Sequence, residues 1–173
     1  MTPPLILTLT LDPASQGFFE RERQRWFPLS LNMIPAHVTL FHHLPGDQLP
    51  QLQADLATLC AGEKPAPFSV DRPMSLGRGV AYAIQSAGVA AFRARLLSRW
   101  QAGSDPVSLT AQDRQPWRPH VTVQNKVDPA QARALHGRLM RDFMPFAGMA
   151  TGTALWRYLG GPWRHECDFP FSG

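Results

Sequence analysis

Long hydrophobic runs are missing from this 173-residue sequence. None approaches the ~20 apolar residues that a membrane-spanning helix needs, which argues against an integral helical membrane protein. The first four residues, Met-Thr-Pro-Pro, also lack the basic and then apolar layout of a secretory signal. We therefore expect a soluble cytoplasmic protein, and its length suffices for one domain or two closely packed half-domains.

Cysteine is also scarce. Cys60 and Cys167 lie far apart, and neither belongs to a Cys-x-x-Cys pair. We interpret them as free thiols in a reducing compartment, with a disulfide as the alternative that sequence leaves open. His165 and Cys167 have the chemistry of zinc ligands, but no second ligand pair of suitable spacing is present, so we predict no metal site.

Charged residues make up only 17% of the chain, and no polybasic tail is present. The formal net charge is +4, and arginine supplies nearly all of the 17 basic residues. Because the planar guanidinium suits phosphate better than an ammonium does, this composition is compatible with an anionic substrate. A modest arginine excess also keeps a protein soluble, and on charge alone that second interpretation is preferred.

The tripeptide His-Val-Thr occurs twice, each time within a stretch that is typical of a β-strand. The stretches are residues 36–43 (AHVTLFHH) and 119–127 (PHVTVQNKV). Residues two apart on a strand point to the same face, so His37 accompanies Thr39 and His120 accompanies Thr122. If the fold brings these strands together, one site would contain two imidazoles for proton transfer and two hydroxyls to hold an oxyanion.

The rest of the pattern predicts further strands and helices. Strands are expected at residues 5–11, 68–71, 80–84, 153–159 and 163–169, and helices at about 14–26, 48–61, 87–101 and 128–143. The two halves of the sequence have approximately the same order of elements, namely strand, helix, His-Val-Thr strand and helix. This recurrence indicates an internal duplication. Helices separated by antiparallel hairpins predict an α+β fold, with two sheets that enclose a central cleft.

The paired motifs resemble those of the two-histidine (2H) phosphoesterase superfamily, in particular its 2′-5′ RNA ligase-like and cyclic phosphodiesterase branch. Residues 118–122 (RPHVT) are closely similar to that branch's second motif, and residues 156–163 (WRYLGGPW) to its C-terminal hairpin. The resemblance implies one domain over residues 1–173, made of two pseudo-symmetric, duplicated lobes with exchanged strands. Each lobe would be a mainly antiparallel sheet with helices on its outer face. The sequence departs from the family's pattern after the first motif, where residues 41–46 (FHHLPG) contain two inserted histidines.

The resemblance implies an RNA-processing hydrolase that opens a 2′,3′-cyclic phosphate to a 2′-phosphate, without metal or cofactor, and possesses the groups for reversible 2′-5′ RNA ligation. The residue types agree with this, because imidazole titrates near pH 6.5 and serves as acid or base around neutrality. We assign His37 as general acid and His120 as general base, although the symmetry of the pair permits the reverse. Thr39 and Thr122 would donate hydrogen bonds to the phosphate oxygens.

Four further residues are candidates for substrate contacts. Arg78, between two glycines, and Arg118, beside the second motif, would contact phosphate. Phe41 is expected on the same strand face as His37, so its ring could stack on a base. His43 would lie on the same face, at the rim of the site.

Other histidines and aromatic residues are expected to have structural positions. His42 should pack away from the cleft, and Trp100, Trp156 and Trp163 should belong to the core. The expected partner is an RNA end or a small nucleotide with a cyclic phosphate; no membrane partner is expected, and a monomer is favoured. The alternative function is a non-catalytic protein that binds RNA ends or nucleotides in the same cleft. The intact His and Thr in both motifs favour catalysis.

Overall fold

The structure is a computed structural model that describes residues 2–102 and 104–173. In that part of the chain, seven strands, five α-helices and two short 3-10 helices are present. The strands are β1 (Leu5–Leu11), β2 (Thr39–Leu44), β3 (Ala66–Ser75), β4 (Val80–Gln85), β5 (His120–Gln124), β6 (Phe146–Tyr158) and β7 (Trp163–Pro170). The helices are α1 (Pro13–Trp26), α2 (Leu49–Ala61), α3 (Ala87–Gln101), α4 (Ala111–Arg114) and α5 (Pro129–Asp142). The predicted α+β class is confirmed.

The strands form one antiparallel sheet in the order β2-β1-β6-β3-β4-β5, and β7 pairs with β6 as well. One edge of β6 pairs with β1, and the other edge pairs first with β3 and then with β7. The sheet therefore has two halves that share β6, namely β2-β1-β6-β7 and β6-β3-β4-β5. The sequence predicted β6 only from residue 153, because residues 146–152 are rich in glycine and alanine and carry a weak strand signal.

Long helices cover one face of each half. Helix α2 packs on β7, and Trp100 of α3 meets Phe41 of β2 edge to face, with ring centroids 4.8 Å apart. Helices α1 and α5 cover the second half, where Phe18 and Phe143 contact Tyr82 of β4. Helix α1 follows β1 of the first half in the chain but packs on the second half. It therefore joins the two halves into one packed body.

The other face of the first half is free of these helices. Residues paired in register point to the same side of a sheet, so the pairs Thr39–Thr8 and Thr8–Ala154 place three side chains on one face. Thr153 precedes Ala154 and points the opposite way, to the Cys60 thiol of α2. Thr39 of the first motif therefore lies on the open face.

The second half has the same arrangement. Thr122 pairs with Ala81 and His120 with Ala83, whereas Tyr82, between these two alanines, packs under α1 and α5. The second motif therefore also lies on the face that the helices leave open. Within the described residues, no helix combines the length and hydrophobicity needed to cross a membrane.

The two thiols are free. Cys60 is buried against the sheet, and this burial raises the pKa of its thiol to about 11. The more exposed Cys167 contacts the Asp168 carbonyl through Sγ, at 3.6 Å. The prediction of two unpaired cysteines is confirmed.

Candidate active site

Both His-Val-Thr motifs line one cleft between the two halves of the sheet. The cleft has a volume of about 370 Å³, and its walls include His37, Thr39, His120 and Thr122. Strands β2 and β5 are the two ends of the strand order, so the sheet must curve until these ends face each other. The structure thus brings together the four residues that the sequence singled out for catalysis.

The two imidazole rings are held in the same way. Nδ1 of His37 is 2.8 Å from the Pro35 carbonyl, and Nδ1 of His120 is 2.8 Å from the Arg118 carbonyl. A carbonyl oxygen only accepts, so Nδ1 must carry the proton in each ring. In the neutral tautomer this leaves the Nε2 lone pair free, and each ring can then exchange a proton with a bound substrate.

Hydrogen bonds across the cleft hold the backbones of the two motifs. Trp117 Nε1 donates to the Thr39 carbonyl at 2.9 Å, which connects the segment before β5 to β2. Arg23 of α1 donates to the Thr122 carbonyl at 2.9 Å. These contacts set the separation of two strands that have no hydrogen bonds to each other in the sheet.

Arg23 is a residue that supports the site and that the sequence analysis missed. Its side chain is only 2% exposed and lies 4.1 Å from the centroid of the Phe27 ring. Besides its bond to the Thr122 carbonyl, it donates to Asn32 Oδ1 at 3.1 Å and to the Ile34 carbonyl at 3.3 Å. It therefore connects the loop before the first motif to the strand of the second. No sequence signal marks it, because it stands in a charged stretch typical of an exposed helix face.

His37 is neutral over a wide pH range. Burial of the ring, which lies 4.6 Å from the Trp163 ring centroid, lowers the pKa of His37 to about 4. The positive charges of Arg23, His120 and His42 lower it further, against the opposing effect of the Pro35 hydrogen bond. A ring that is neutral at pH 7 is ready to accept a proton, so this pKa favours His37 as general base, the reverse of our sequence-based assignment.

Phe41 and His43 do not lie in the cleft, contrary to prediction. The Phe41 ring is fully buried between Trp100 and the Arg93 guanidinium, so it has no free face for a base. His43 is exposed but lines a separate cavity near the N-terminal segment. The cause is a pair of register irregularities between β1 and β2, which interrupt the strict alternation that the prediction assumed.

His42, predicted to pack away from the cleft, lines it instead. Its Nδ1 lies 3.3 Å from the buried carboxylate of Asp113, which also accepts from the backbone amides of His42 and His43 at 2.7 and 3.0 Å. Burial acts to raise the pKa of Asp113, but these hydrogen bonds lower it below its ordinary value. The carboxylate thus fixes a third imidazole in the cleft that His37 and His120 line. The sequence analysis missed Asp113 because it predicted no helix between residues 101 and 128.

The two predicted phosphate-binding arginines have different positions. Arg118 is exposed and lines the cleft. Arg78 stands in the β3–β4 turn, beside Gly77 with its φ of 79°, and its Nε donates to the Val127 carbonyl at 3.2 Å. It is not a cleft residue, because this turn lies at the opposite end of β4 from Ala83, the partner of His120. A phosphate contact by Arg118 therefore stays a prediction, and the position of Arg78 contradicts the contact predicted for it.

The described part of the chain contains no group of three or more His, Cys, Asp or Glu side chains that could hold a metal ion. His165, weighed above as a zinc ligand, instead pairs with Asp168 at 2.9 Å through Nε2.

Residues 11–162 match the sequence model of the 2′-5′ RNA ligase superfamily, a range that includes both motifs. The chain belongs to the 2′-5′ RNA ligase superfamily. This 2H phosphoesterase family is the one that the paired motifs resemble, so the predicted family is confirmed. No curated protein sequence matches the chain.

Solved structures share the fold of this superfamily member at low sequence identity. TT0787 of Thermus thermophilus is 18% identical, with 98% of each chain covered and a TM-score of 0.70. LigT of E. coli complexed with 3′-AMP is 14% identical, with 100% of each chain covered and a TM-score of 0.56. LigT complexed with NADP+ is 15% identical, also with 100% of each chain covered, and has a TM-score of 0.57. At these identities the comparison establishes a common fold.

Proposed function

We propose that the protein is a metal-independent phosphoesterase that opens a 2′,3′-cyclic phosphate on an RNA end or a nucleotide and leaves a 2′-phosphate. The observation that carries this proposal is the convergence of two imidazoles, each with Nδ1 bonded to a carbonyl, on one cleft with two threonines. Two rings in that state provide a base and an acid without a metal ion. Membership of the 2′-5′ RNA ligase superfamily supports the reaction class.

The reaction requires one proton to be taken and one to be given. Neutral His37 takes a proton from water as the water oxygen attacks phosphorus, and the bond between phosphorus and the ribose 3′ oxygen breaks. His120 gives its proton to that departing oxygen, so the phosphate stays on the 2′ oxygen. Thr39 and Thr122 donate hydrogen bonds to the non-bridging oxygens. A 5′-hydroxyl in place of water would form a 2′-5′ linkage by the same proton transfers.

The charges around the cleft suit an anionic nucleotide. Arg118 lines the cleft, and the buried guanidinium of Arg23 lies behind the second motif. His42 adds a third imidazole to the residues that line the cleft. The solved complexes of LigT with 3′-AMP, NADP+ and ATP support a nucleotide as the ligand class.

The test is an incubation of the pure protein with the four 2′,3′-cyclic mononucleotides in EDTA. We expect 2′-monophosphates, identified against 2′ and 3′ standards by chromatography and ³¹P NMR. A 3′-phosphate would contradict the proposed bond cleavage. Unchanged substrate after long incubation, together with salt-sensitive binding, would support the non-catalytic binding protein instead.

Arg118→Ala should raise KM, whereas Arg78→Ala is the matched control and should leave the kinetics unchanged.

The low pKa of His37 predicts an unusual pH profile. The acid limb of kcat/KM, which reports the base in the free enzyme, should have an apparent pKa of about 4. An unperturbed imidazole would place it near 6.5. Activity should therefore persist in mildly acidic buffer, as initial rates from neutral pH downwards would show. An acid limb near 6.5 would contradict the assignment of His37 as base.

The low pKa of His37 also makes the free energy of unfolding depend on pH. As the pH falls from about 6.5 to about 4, the unfolded chain takes up a proton that folded His37 does not bind. The free energy of unfolding therefore decreases through this window. Urea titrations at several pH values should show this decrease, and His37→Gln should flatten it.

A further inference from the structure

A third imidazole lines the catalytic cleft, and the proposed mechanism does not use it. His42 belongs to β2, as Thr39 does, and both side chains line the cleft. The His42 side chain is 44% exposed, so a small molecule in the cleft can reach its ring. Its positive charge contributes to the low pKa of His37, which means that the two rings are close enough to interact. The cleft therefore offers one imidazole more than an acid and a base require.

A β-bulge turns His42 toward the cleft. Phe41 pairs with Leu7, and Thr39 pairs with Thr8, so two steps along β2 match a single step along β1. In a regular strand, residues three apart point to opposite faces. Here Phe41 is buried against α3, whereas Thr39 and His42 both line the cleft. The bulge thus places a third imidazole beside the first motif.

Buried charged groups hold this bulge in one conformation. Arg93 of α3 donates from Nε to the Leu40 carbonyl at 2.9 Å and from Nη2 to the Asp113 carbonyl at 2.7 Å. The Asp113 carboxylate in turn accepts from the backbone amides of His42 and His43. Arg93 is 7% exposed, and Asp113 is fully buried. Because a buried charge without partners is unfavourable, these contacts resist any movement of the bulge.

All three imidazoles in the cleft have the same ring nitrogen left for a ligand. The ionised Asp113 carboxylate, 3.3 Å from Nδ1 of His42, accepts hydrogen bonds and cannot donate them. In the neutral ring the proton is therefore on Nδ1, which leaves the Nε2 lone pair free. Backbone carbonyls orient His37 and His120 in the same way. Neutral His42 can thus accept a hydrogen bond from a molecule in the cleft.

The tryptophans on the other side of His37 cannot accept such a hydrogen bond. Trp156 and Trp163, which we predicted in the core, are instead partly exposed and line a separate cavity. The indole nitrogen only donates, and Trp156 Nε1 already donates to Thr8 Oγ1 at 2.9 Å. His42 is an acceptor in the cleft that also contains the threonines of both motifs.

The attacking water has a hydrogen for which the proposed mechanism provides no acceptor. One hydrogen passes to Nε2 of His37 as the water oxygen bonds to phosphorus, and the other stays on that oxygen. A water molecule held by two acceptors has a fixed orientation, so a lone pair of its oxygen can be directed at phosphorus. Such positioning of a reactant lowers the barrier to its attack. A second acceptor close to His37 would therefore orient the nucleophile.

We propose that His42 accepts this second hydrogen and thereby selects water as the nucleophile. The inference rests on the proposed function for the reaction at phosphorus. An alcohol, such as the 5′-hydroxyl that ligation requires, has a single hydroxyl hydrogen, and His37 takes it. The carbon substituent of the alcohol then occupies the place of the second hydrogen, and Nε2 of His42 has no donor. His42 thus favours hydrolysis over ligation, and Asp113 is the residue that positions it.

The test measures how the enzyme divides one substrate between two nucleophiles. Cytidine 2′,3′-cyclic phosphate, in buffer that contains methanol, gives the 2′-monophosphate by hydrolysis and its methyl ester by methanolysis, and ³¹P NMR distinguishes the products. His42→Ala should lower the rate of hydrolysis on the order of tenfold, the effect of one lost hydrogen bond. Methanolysis should be nearly unchanged, so the ratio of ester to monophosphate rises by the same factor. This ratio does not depend on the amount of folded protein.

Three further variants separate the role of the ring from its surroundings. His42→Gln keeps a side-chain acceptor and should retain most of the wild-type ratio. Asp113→Asn should raise the ratio in the same direction as His42→Ala, and the double variant should show no further change, because both residues act through one ring. His43→Ala is the matched control and should leave both rates unchanged, since His43 lines another cavity.

The outcomes separate this inference from the proposed function. An unchanged product ratio in His42→Ala would overturn the selection of water and leave the proposed hydrolase intact. An equal loss of both rates would also overturn it, because His42 would then act on the phosphate and not on the nucleophile. No product from the wild-type protein with any cyclic nucleotide would overturn the proposed function and, with it, the reaction in which His42 orients water.

Discussion

Replacing either His37 or His120 with alanine is expected to lower kcat/KM for a 2′,3′-cyclic nucleotide by roughly 10²–10⁴-fold, the usual contribution of a general acid or base. The reason is geometric, because each Nδ1 is bonded to a carbonyl and each Nε2 is left for the substrate. The two losses should not add in the double variant, because base and acid act in the same step. Steady-state rates of the single and double variants would measure this.

The pH profiles of the two variants should differ, which separates the two roles. His37→Ala should remove the acid limb of kcat/KM, and His120→Ala should remove the alkaline limb. His43→Ala is the matched control, since His43 stands close to the first motif in sequence but lines another cavity. Full activity in either catalytic variant, or loss of the same limb in both, would contradict the two-histidine mechanism.

Replacing Arg23 with methionine should lower the free energy of unfolding by about 2–4 kcal/mol, because acceptors that lose a buried partner cost about 1–3 kcal/mol each. Three acceptors are affected, namely the carbonyls of Thr122 and Ile34 and the Oδ1 atom of Asn32. Removal of a buried cation, whose desolvation is unfavourable, offsets part of the loss. Urea titration at neutral pH would give the difference.

The same substitution should also change catalysis. Arg23 contributes to the low pKa of His37, so its removal should move the acid limb of kcat/KM to higher pH. Arg21→Met, at an exposed position of the same helix, removes one positive charge and serves as the matched control. Equal stability and identical pH profiles in the two variants would show that Arg23 does not connect the motifs.

His42 and Asp113 distinguish the two otherwise similar motifs. The second motif has no imidazole at the equivalent position, since Asn125 there corresponds to His42 of the first motif. His42 lines the cleft together with Thr39, and the Asp113 carboxylate that contacts it is fully buried. An asymmetric cleft gives a substrate a preferred direction, which a cleft with two equivalent walls would not.

Local sequence determined most of the secondary structure. Helix α3 has the predicted bounds, because Ser86 accepts a hydrogen bond from the Val89 amide at its start and apolar residues recur at helical spacing. Helix α5 begins at Pro129, where Asp128 accepts from the Ala130 amide. These are contacts between neighbours in the chain. The two His-Val-Thr motifs could be identified from the sequence because each consists of residues that are neighbours in the chain.

Tertiary structure alone decided how the site is completed. The irregular register of β2 moved Phe41 into the core and His42 into the cleft, and that register depends on pairing with β1. The roles of Arg23 and Asp113 depend on acceptors and donors far away in the chain. Burial and neighbouring charges, which exist only in the folded state, lower the pKa of His37. Sequence periodicity records local backbone preference, whereas desolvation and strand register arise from non-local contacts. The sequence by itself therefore determined which residue types meet in the cleft, and the fold determined their environment.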